Sequence, residues 1–265
     1  MSQAAHFSIV PSPQLLREDT SGVTTLTLNR PKQYNALSET LIAELQSALD
    51  SIGNDKAVRV LIIAGSGPAF CAGHDLKEMR ANYERAKIEA LFTQCSRLML
   101  TLTQLPQPVI AKVQGIATAA GCQLVAQCDL AIAADTARFA TSGINVGLFC
   151  STPAVPLSRS IPRKQAMEML LTGEFIDAAT ALRWGLLNRV VAADQLNQAT
   201  ARLAGVLKSK PRESLAIGKK LFHAQAGVGI AQAYAMATRA MTDNFMHKEA
   251  AEGVDAFLQK RPPNW

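Results

Sequence analysis

The sequence predicts an α/β protein with mostly parallel strands, and three observations carry that expectation. Short β-rich segments alternate with amphipathic helical ones over the first two-thirds of the chain. Val58 to Ala64 (VRVLIIA) is a continuous apolar run, the mark of a strand covered on both faces. From about Gln195 onward the pattern is almost wholly helical. The expected organisation is an α/β core over residues 1–194 and a helical C-terminal segment over 195–265, with no low-complexity linker and no exact repeat.

The elements follow in order. Thr24 to Leu28 alternates and is β-rich, so it reads as a strand, broken by Asn29-Arg30-Pro31. Ser38 is a candidate N-cap, because its hydroxyl can satisfy an exposed helix amide. Leu37, Leu41, Ile42, Leu45 and Leu49 have helical spacing, which predicts a helix over 39–53. The apolar strand over 58–64 ends in the loop Gly65-Ser66-Gly67-Pro68. A long helix is expected from about Tyr83 to Leu105, stopped by Pro106 and Pro108. Val109 to Val113 reads as a strand, Gly115 to Gly121 as a small-residue turn, Cys122 to Gln127 as a short helix and Leu130 to Ala134 as a strand. In the C-terminal segment Pro211 sits where a helix start tolerates proline. Leu215, Ile217, Leu221 and Phe222 supply an apolar stripe.

Length and composition narrow the class. A chain of 265 residues, 48% hydrophobic and 18% charged, can bury a large core and is neither disordered nor a coiled coil. The net charge of +6 suits an anionic ligand. The basic residues are scattered, with no run longer than a pair such as Lys219-Lys220, so no nucleic-acid footprint is expected. No apolar stretch is long enough for a membrane span. Residues 1–20 do not read as a signal peptide. The five cysteines, at 71, 95, 122, 128 and 150, lack metal-ligand spacing and read as reduced thiols. These points predict a cytoplasmic protein with no metal.

Three segments carry the chemistry: Phe70 to Glu78 (FCAGHDLKE), Gly115 to Gln123 (GIATAAGCQ) and Ala166 to Gly185. Gly and Ala in tight turns let a ligand approach backbone N–H groups. A helix beginning near Gly121 would turn free amides toward an anion. Two amides from separate turns can polarise one carbonyl oxygen. Tight turns between packed elements account for the same composition, and both readings stay open on residues alone.

The segments resemble the crotonase (enoyl-CoA hydratase/isomerase) superfamily. Phe70 to Glu78 is similar to its F-x-A-G-x-D-(I/L)-K-E stretch, Cys128-Asp129-Leu130 to its C-D-I/L, and Leu171-Thr172-Gly173 to its L-T-G. Trp184 to Leu187 followed by Val190-Val191 is similar to its G-L-V-x-x-V-V. The likeness runs from Leu28-Asn29-Arg30-Pro31 to Phe257-Leu258-Gln259-Lys260-Arg261. Within the family, GHDLKE together with NVGLFCSTP resembles one particular branch. The resemblance implies a spiral of ββα units and a helical C-terminal segment that mediates trimerisation, often with assembly to a hexamer. It implies an acyl-CoA ligand and no cofactor other than the CoA thioester itself. The thioester oxygen would be held by the backbone amides of His74 and Ala120. Backbone groups of Ala72 and Leu76 would flank the adenine. Lys32, Lys77 and Lys260 would meet phosphates, with Lys260 reaching from a neighbouring subunit.

The same comparison of motifs puts Gln123 and Gly143 where the family has the two glutamates that activate water and supply the C2 proton. A count agrees: no Asp or Glu occurs between Glu89 and Asp129, or between Asp135 and Glu168. An amide holds a water but takes no proton near neutral pH. Other groups have alternatives. His74 can act as a base or simply shape the pocket. Cys150 can be a nucleophile or a pocket-lining thiol. Asp75 reads as a loop organiser, Asp129 as structural, and Asn145 as a group that positions water or acyl. Two functions therefore stay open: an acyl-CoA enzyme of the hydratase/isomerase type, and a homologue that binds acyl-CoA without chemistry.

Overall fold

The computed structural model describes residues 13–265. The expectation of no leader therefore falls partly on residues outside those described. Ten strands and eleven α-helices alternate along this part of the chain. In order they are β1 (Leu15–Thr20), β2 (Val23–Leu28), α1 (Glu39–Asn54), β3 (Val60–Gly65), β4 (Ala69–Cys71), α2 (Leu76–Ala81), α3 (Arg85–Gln104), β5 (Val109–Val113) and β6 (Ile116–Thr118). They continue as α4 (Ala120–Gln127), β7 (Leu130–Ala134), β8 (Arg138–Ala140), α5 (Ser151–Ser160), α6 (Arg163–Thr172), β9 (Ile176–Asp177), α7 (Ala178–Trp184) and β10 (Arg189–Val191). Four helices end the chain: α8 (Leu196–Lys208), α9 (Arg212–Gln225), α10 (Ile230–Phe245) and α11 (Lys248–Leu258).

The strands form two sheets. The larger has the order β1-β2-β3-β5-β7-β10 and is parallel except for the β1–β2 hairpin. The smaller has the order β4-β6-β8-β9 and is parallel except at β9. The unbroken apolar run of β3 follows from burial on both faces. Leu61 and Ile63 enter the main core, which also holds Leu41, Ile42 and Leu45 of α1. Val60 and Ile62 face the other way, toward Leu196, Leu203 and Ala204 of α8. Ser38 caps α1, its Oγ accepting from the Leu41 amide at 3.1 Å.

One expectation needs correction. Gly115 to Gly121 is not one turn: Ile116–Thr118 pairs with β4 and β8 as β6, and the chain turns only at Ala119. The remaining strands of the second sheet are also two or three residues long, too short for periodicity to reveal. The long helix, Arg85–Gln104, lies within two residues of its expected bounds, but an unexpected short helix, α2, precedes it, started by Asp75, which accepts from the Lys77 and Glu78 amides.

Candidate active site

The turn after β4 lies against the start of α4. Gly73 has φ +97°, a left-handed conformation that favours glycine, and a Cβ built on it would stand 2.9 Å from the Ala119 Cβ and 3.4 Å from the Ala120 nitrogen. His74 follows and pairs with Leu37 as an isolated parallel bridge. The Leu37 amide donates to the Gly73 carbonyl at 2.7 Å, and the Asp75 amide donates to the Leu37 carbonyl at 3.0 Å. In this pattern the N–H and C=O of His74 point away from Leu37. Across the gap, Ala119 is the N-cap of α4 with φ +50° and ψ −121°, and no side chain caps the helix. Ala120 is its first residue, so its N–H has no acceptor within the helix. The fold thus brings His74 and Ala120 together on facing turns, each with an outward amide.

Polar side chains collect around these amides. Gln123 is 3% exposed and its Oε1 has no hydrogen-bond partner among the described residues. The same holds for the buried Thr141 Oγ1 and for the His74 Nε2. Unpaired buried polar atoms are few in native proteins and call for an explanation. Thr141 and Gln123 both belong to this corner: the Ala119 amide donates to the Ala140 carbonyl, and the Gln123 amide to the Ala119 carbonyl, each at 3.0 Å. Burial pushes the His74 imidazole down to about 4, so the ring is neutral at neutral pH. Its ring meets Phe92 edge-on at 5.3 Å. Phe92 in turn lines a cavity of about 680 Å³ with Tyr83, Ile88 and Thr93. Phe92, Ile88 and Thr93 of α3, and Tyr83 just before it, carry no motif in the sequence; only the tertiary contact with His74 singles them out.

Gly143 occupies a filled corner. A Cβ there would stand 2.5 Å from the Leu148 carbonyl oxygen and 2.8 Å from the Cys150 Sγ. The 148–150 loop therefore takes up the space of a side chain at 143. Cys150 is buried, and burial pushes its thiol above the usual range, partly offset by the Gly143 backbone. That environment favours a packing thiol over a nucleophile. Asn145 donates to the Gly173 carbonyl at 3.3 Å and so ties this corner to the C-terminus of α6.

The other candidates fall on two surfaces. Lys32 is exposed on the turn before Tyr34, whose carbonyl accepts from the Ala72 amide at 3.0 Å. Leu76 and Lys77, both exposed, open α2 just beyond His74. These residues border the same pair of turns. Lys260 instead follows α11, which packs on α9 and α10. Asp129 accepts from the Val109 amide at 2.8 Å and from Lys219 Nζ at 2.6 Å, a structural arrangement joining β5 to α9.

Among the described residues no helix is long and apolar enough to cross a membrane. The sequence model of the family Enoyl-CoA hydratase/isomerase matches residues 18–265. Enoyl-CoA hydratase domain-containing protein 3, mitochondrial, of Rattus norvegicus is 45% identical over 92% of this chain and 81% of its own length. This is the branch that GHDLKE and NVGLFCSTP resemble. A crystal structure of an enoyl-CoA hydratase of Mycobacterium smegmatis has a TM-score of 0.94 and 55% identity, covering 96% of this chain and 99% of that one. The crystal structure of human enoyl Coenzyme A hydratase domain-containing protein 3 has a TM-score of 0.93 and 43% identity, covering 96% of this chain and all (100%) of that one. The cytoplasmic expectation is overturned here, because the curated vertebrate relatives are named mitochondrial. Free cysteines separate reducing from oxidising compartments and do not single out the cytoplasm. Match, identity and shared fold agree that the chain belongs to the enoyl-CoA hydratase/isomerase family.

Proposed function

We propose that the protein binds an acyl-CoA thioester with its carbonyl oxygen between the N–H groups of His74 and Ala120. The observation that carries this reading is the pair of outward amides on facing turns. Two such donors, fixed before the ligand arrives, stabilise the charge that grows on the oxygen when a thioester enolate forms. Lys32 and Lys77 lie where they can meet CoA phosphates, and the backbone at Ala72 and Leu76 where it can flank the adenine. The cavity beside His74 and Phe92 is a suitable place for the acyl group.

Two-carboxylate hydration does not fit this site. Gln123 and Gly143 hold the positions that the family resemblance assigns to glutamates, and the space at Gly143 is filled by the 148–150 loop. His74, with its imidazole pushed down to about 4, is a weak base and serves as a neutral hydrogen-bonding group. General acid–base help is worth roughly 10²–10⁴-fold per group, so loss of both acids leaves hydration very slow. The protein is thus an acyl-CoA-binding member of its family that keeps oxyanion stabilisation without the usual acids. The filled corner at Gly143 also favours the second reading, a homologue that holds acyl-CoA without turnover.

A single-turnover assay tests this. With protein in excess over short- and medium-chain enoyl-CoA, the conjugated thioester absorbance is followed while binding is measured in parallel. Binding with little or no loss of absorbance is expected. Rapid hydration would overturn the proposal, as would the absence of any binding.

A further inference from the structure

We propose that Arg30 is a positioning residue for the His74 amide; the inference rests on the oxyanion role given to that amide above. The guanidinium straddles the Leu37–His74 bridge. Its Nη1 donates to the carbonyl of Ala36, next to Leu37, and its Nη2 donates to the Asp75 carboxylate at 2.9 Å, next to His74. One planar fork thus spans both segments whose pairing turns the His74 N–H outward. The other Asp75 oxygen accepts from the Lys77 and Glu78 amides at 3.1 and 3.3 Å, so the ion pair also anchors the start of α2.

Arg30 is itself held from behind. Its amide donates to Asn35 Oδ1 at 2.8 Å, and Asn35 Nδ2 donates to the carbonyls of Ser66 and Ala69 at 2.8 and 2.7 Å. Asn35 is fully buried. The Arg30 and Asp75 side chains are each 16% exposed, so solvent competes little for the pair. The chain of contacts runs from β4 through Asn35 and Arg30 to the peptide that carries the His74 amide. Neither Arg30 nor Asp75 is among the groups proposed above to meet the acyl-CoA, which makes Arg30 a determinant of amide angle and not of binding.

The test uses the full chain and a conjugated 2,4-dienoyl-CoA, whose absorbance moves to longer wavelength when its carbonyl is polarised. The wild-type protein is expected to shift the bound probe. Arg30→Gln and Asp75→Asn are each expected to lose about half of that shift or more. Binding of CoA itself should stay within about twofold, because CoA does not use the amide pair. The double variant should match Arg30→Gln, since losing the guanidinium already removes the Asp75 contact along with the Ala36 one. A merely structural role would weaken probe and CoA binding together and leave the spectrum of the bound probe unchanged, which would overturn the proposal. If Arg30→Gln fails to fold, Asp75→Asn carries the test, because Asn keeps the helix-capping acceptor. A probe bound without any shift in the wild type overturns the oxyanion reading and this inference with it. A wild-type shift that survives both substitutions overturns the Arg30 role alone.

Discussion

Within the site, His74 has the most consequential environment. Its imidazole is pushed down to about 4 by burial, against an ordinary 6.5. The unfolded chain therefore binds the proton more tightly than the folded one. The sign follows: stability is full above pH 6.5, falls as pH drops from 6.5 toward 4, and levels off below. The whole effect is on the order of 3 kcal/mol, of which about 2 kcal/mol is lost between neutral pH and pH ~5. Urea unfolding at the two pH values should show this loss in the wild type and a clearly smaller one in His74→Gln. Equal losses in both would assign the slope to other groups. The Asp75 carboxyl is displaced differently. Burial raises it, but the Arg30 hydrogen bond and the amides of Glu78 and Lys77 outweigh burial and hold it below the usual carboxylate value. That stabilisation is present above the ordinary value of 3.8 and disappears only as pH falls through the lowered one, so the two effects separate by pH.

At the level of elements, α4 and α9 show opposite solutions to docking. The N-terminus of α4 meets its neighbours through a backbone turn, with Ala119 in a positive-φ conformation that a non-glycine residue adopts at a cost of about 1–3 kcal/mol. Strain of this kind sits beside the Ala120 amide, one of the two proposed to hold the thioester oxygen. By contrast, α9 is held by a charge. Lys219, its side chain 8% exposed, bonds to the Asp129 carboxylate at 2.6 Å and to the Gln107 carbonyl at 3.0 Å. Removing Lys219 leaves the part-buried Asp129 carboxylate with only the Val109 amide and the His223 imidazole, at 3.6 Å, beside it, so Lys219→Ala should destabilise by about 2–3 kcal/mol in denaturant unfolding. A loss under about 1 kcal/mol would mean that water replaces the ammonium freely. The long elements were legible in the sequence because their periodicity is strong. Val109–Val113 and Leu130–Ala134 match the expected bounds, and Ser38 is the cap. The smaller sheet was illegible, since three-residue strands such as Ala69–Cys71 carry no period. In the candidate site, the family resemblance is what singles out His74 and Ala120. The Arg30–Asp75 clamp, the Phe92 contact and the crowding at Gly143 join residues far apart in sequence, which a linear reading does not display.

The whole molecule leaves its C-terminal helices incompletely covered. Neither α9 nor α10 contains a fully buried residue, while Phe222, Ile230, Tyr234 and Met241 are each at least 68% exposed. Apolar surface on this scale is the usual sign of a protein contact, and it supports the trimer or hexamer that the family resemblance implies. Sedimentation equilibrium should give a mass of three chains or a multiple, and Ile230→Asp combined with Tyr234→Asp should lower it. A wild-type monomer at micromolar concentration would refute that assembly. The same assembly is what would bring Lys260, set on the C-terminal helices, toward a neighbour's ligand. The central claim, two amides without the acid pair, is tested most directly by a crystal structure with a bound saturated acyl-CoA. The thioester oxygen should lie within about 2.7–3.1 Å of both the His74 and Ala120 nitrogens, with no carboxylate against the C2–C3 bond. An oxygen bonded to neither amide, or an Asp or Glu side chain swung against C3, would contradict it.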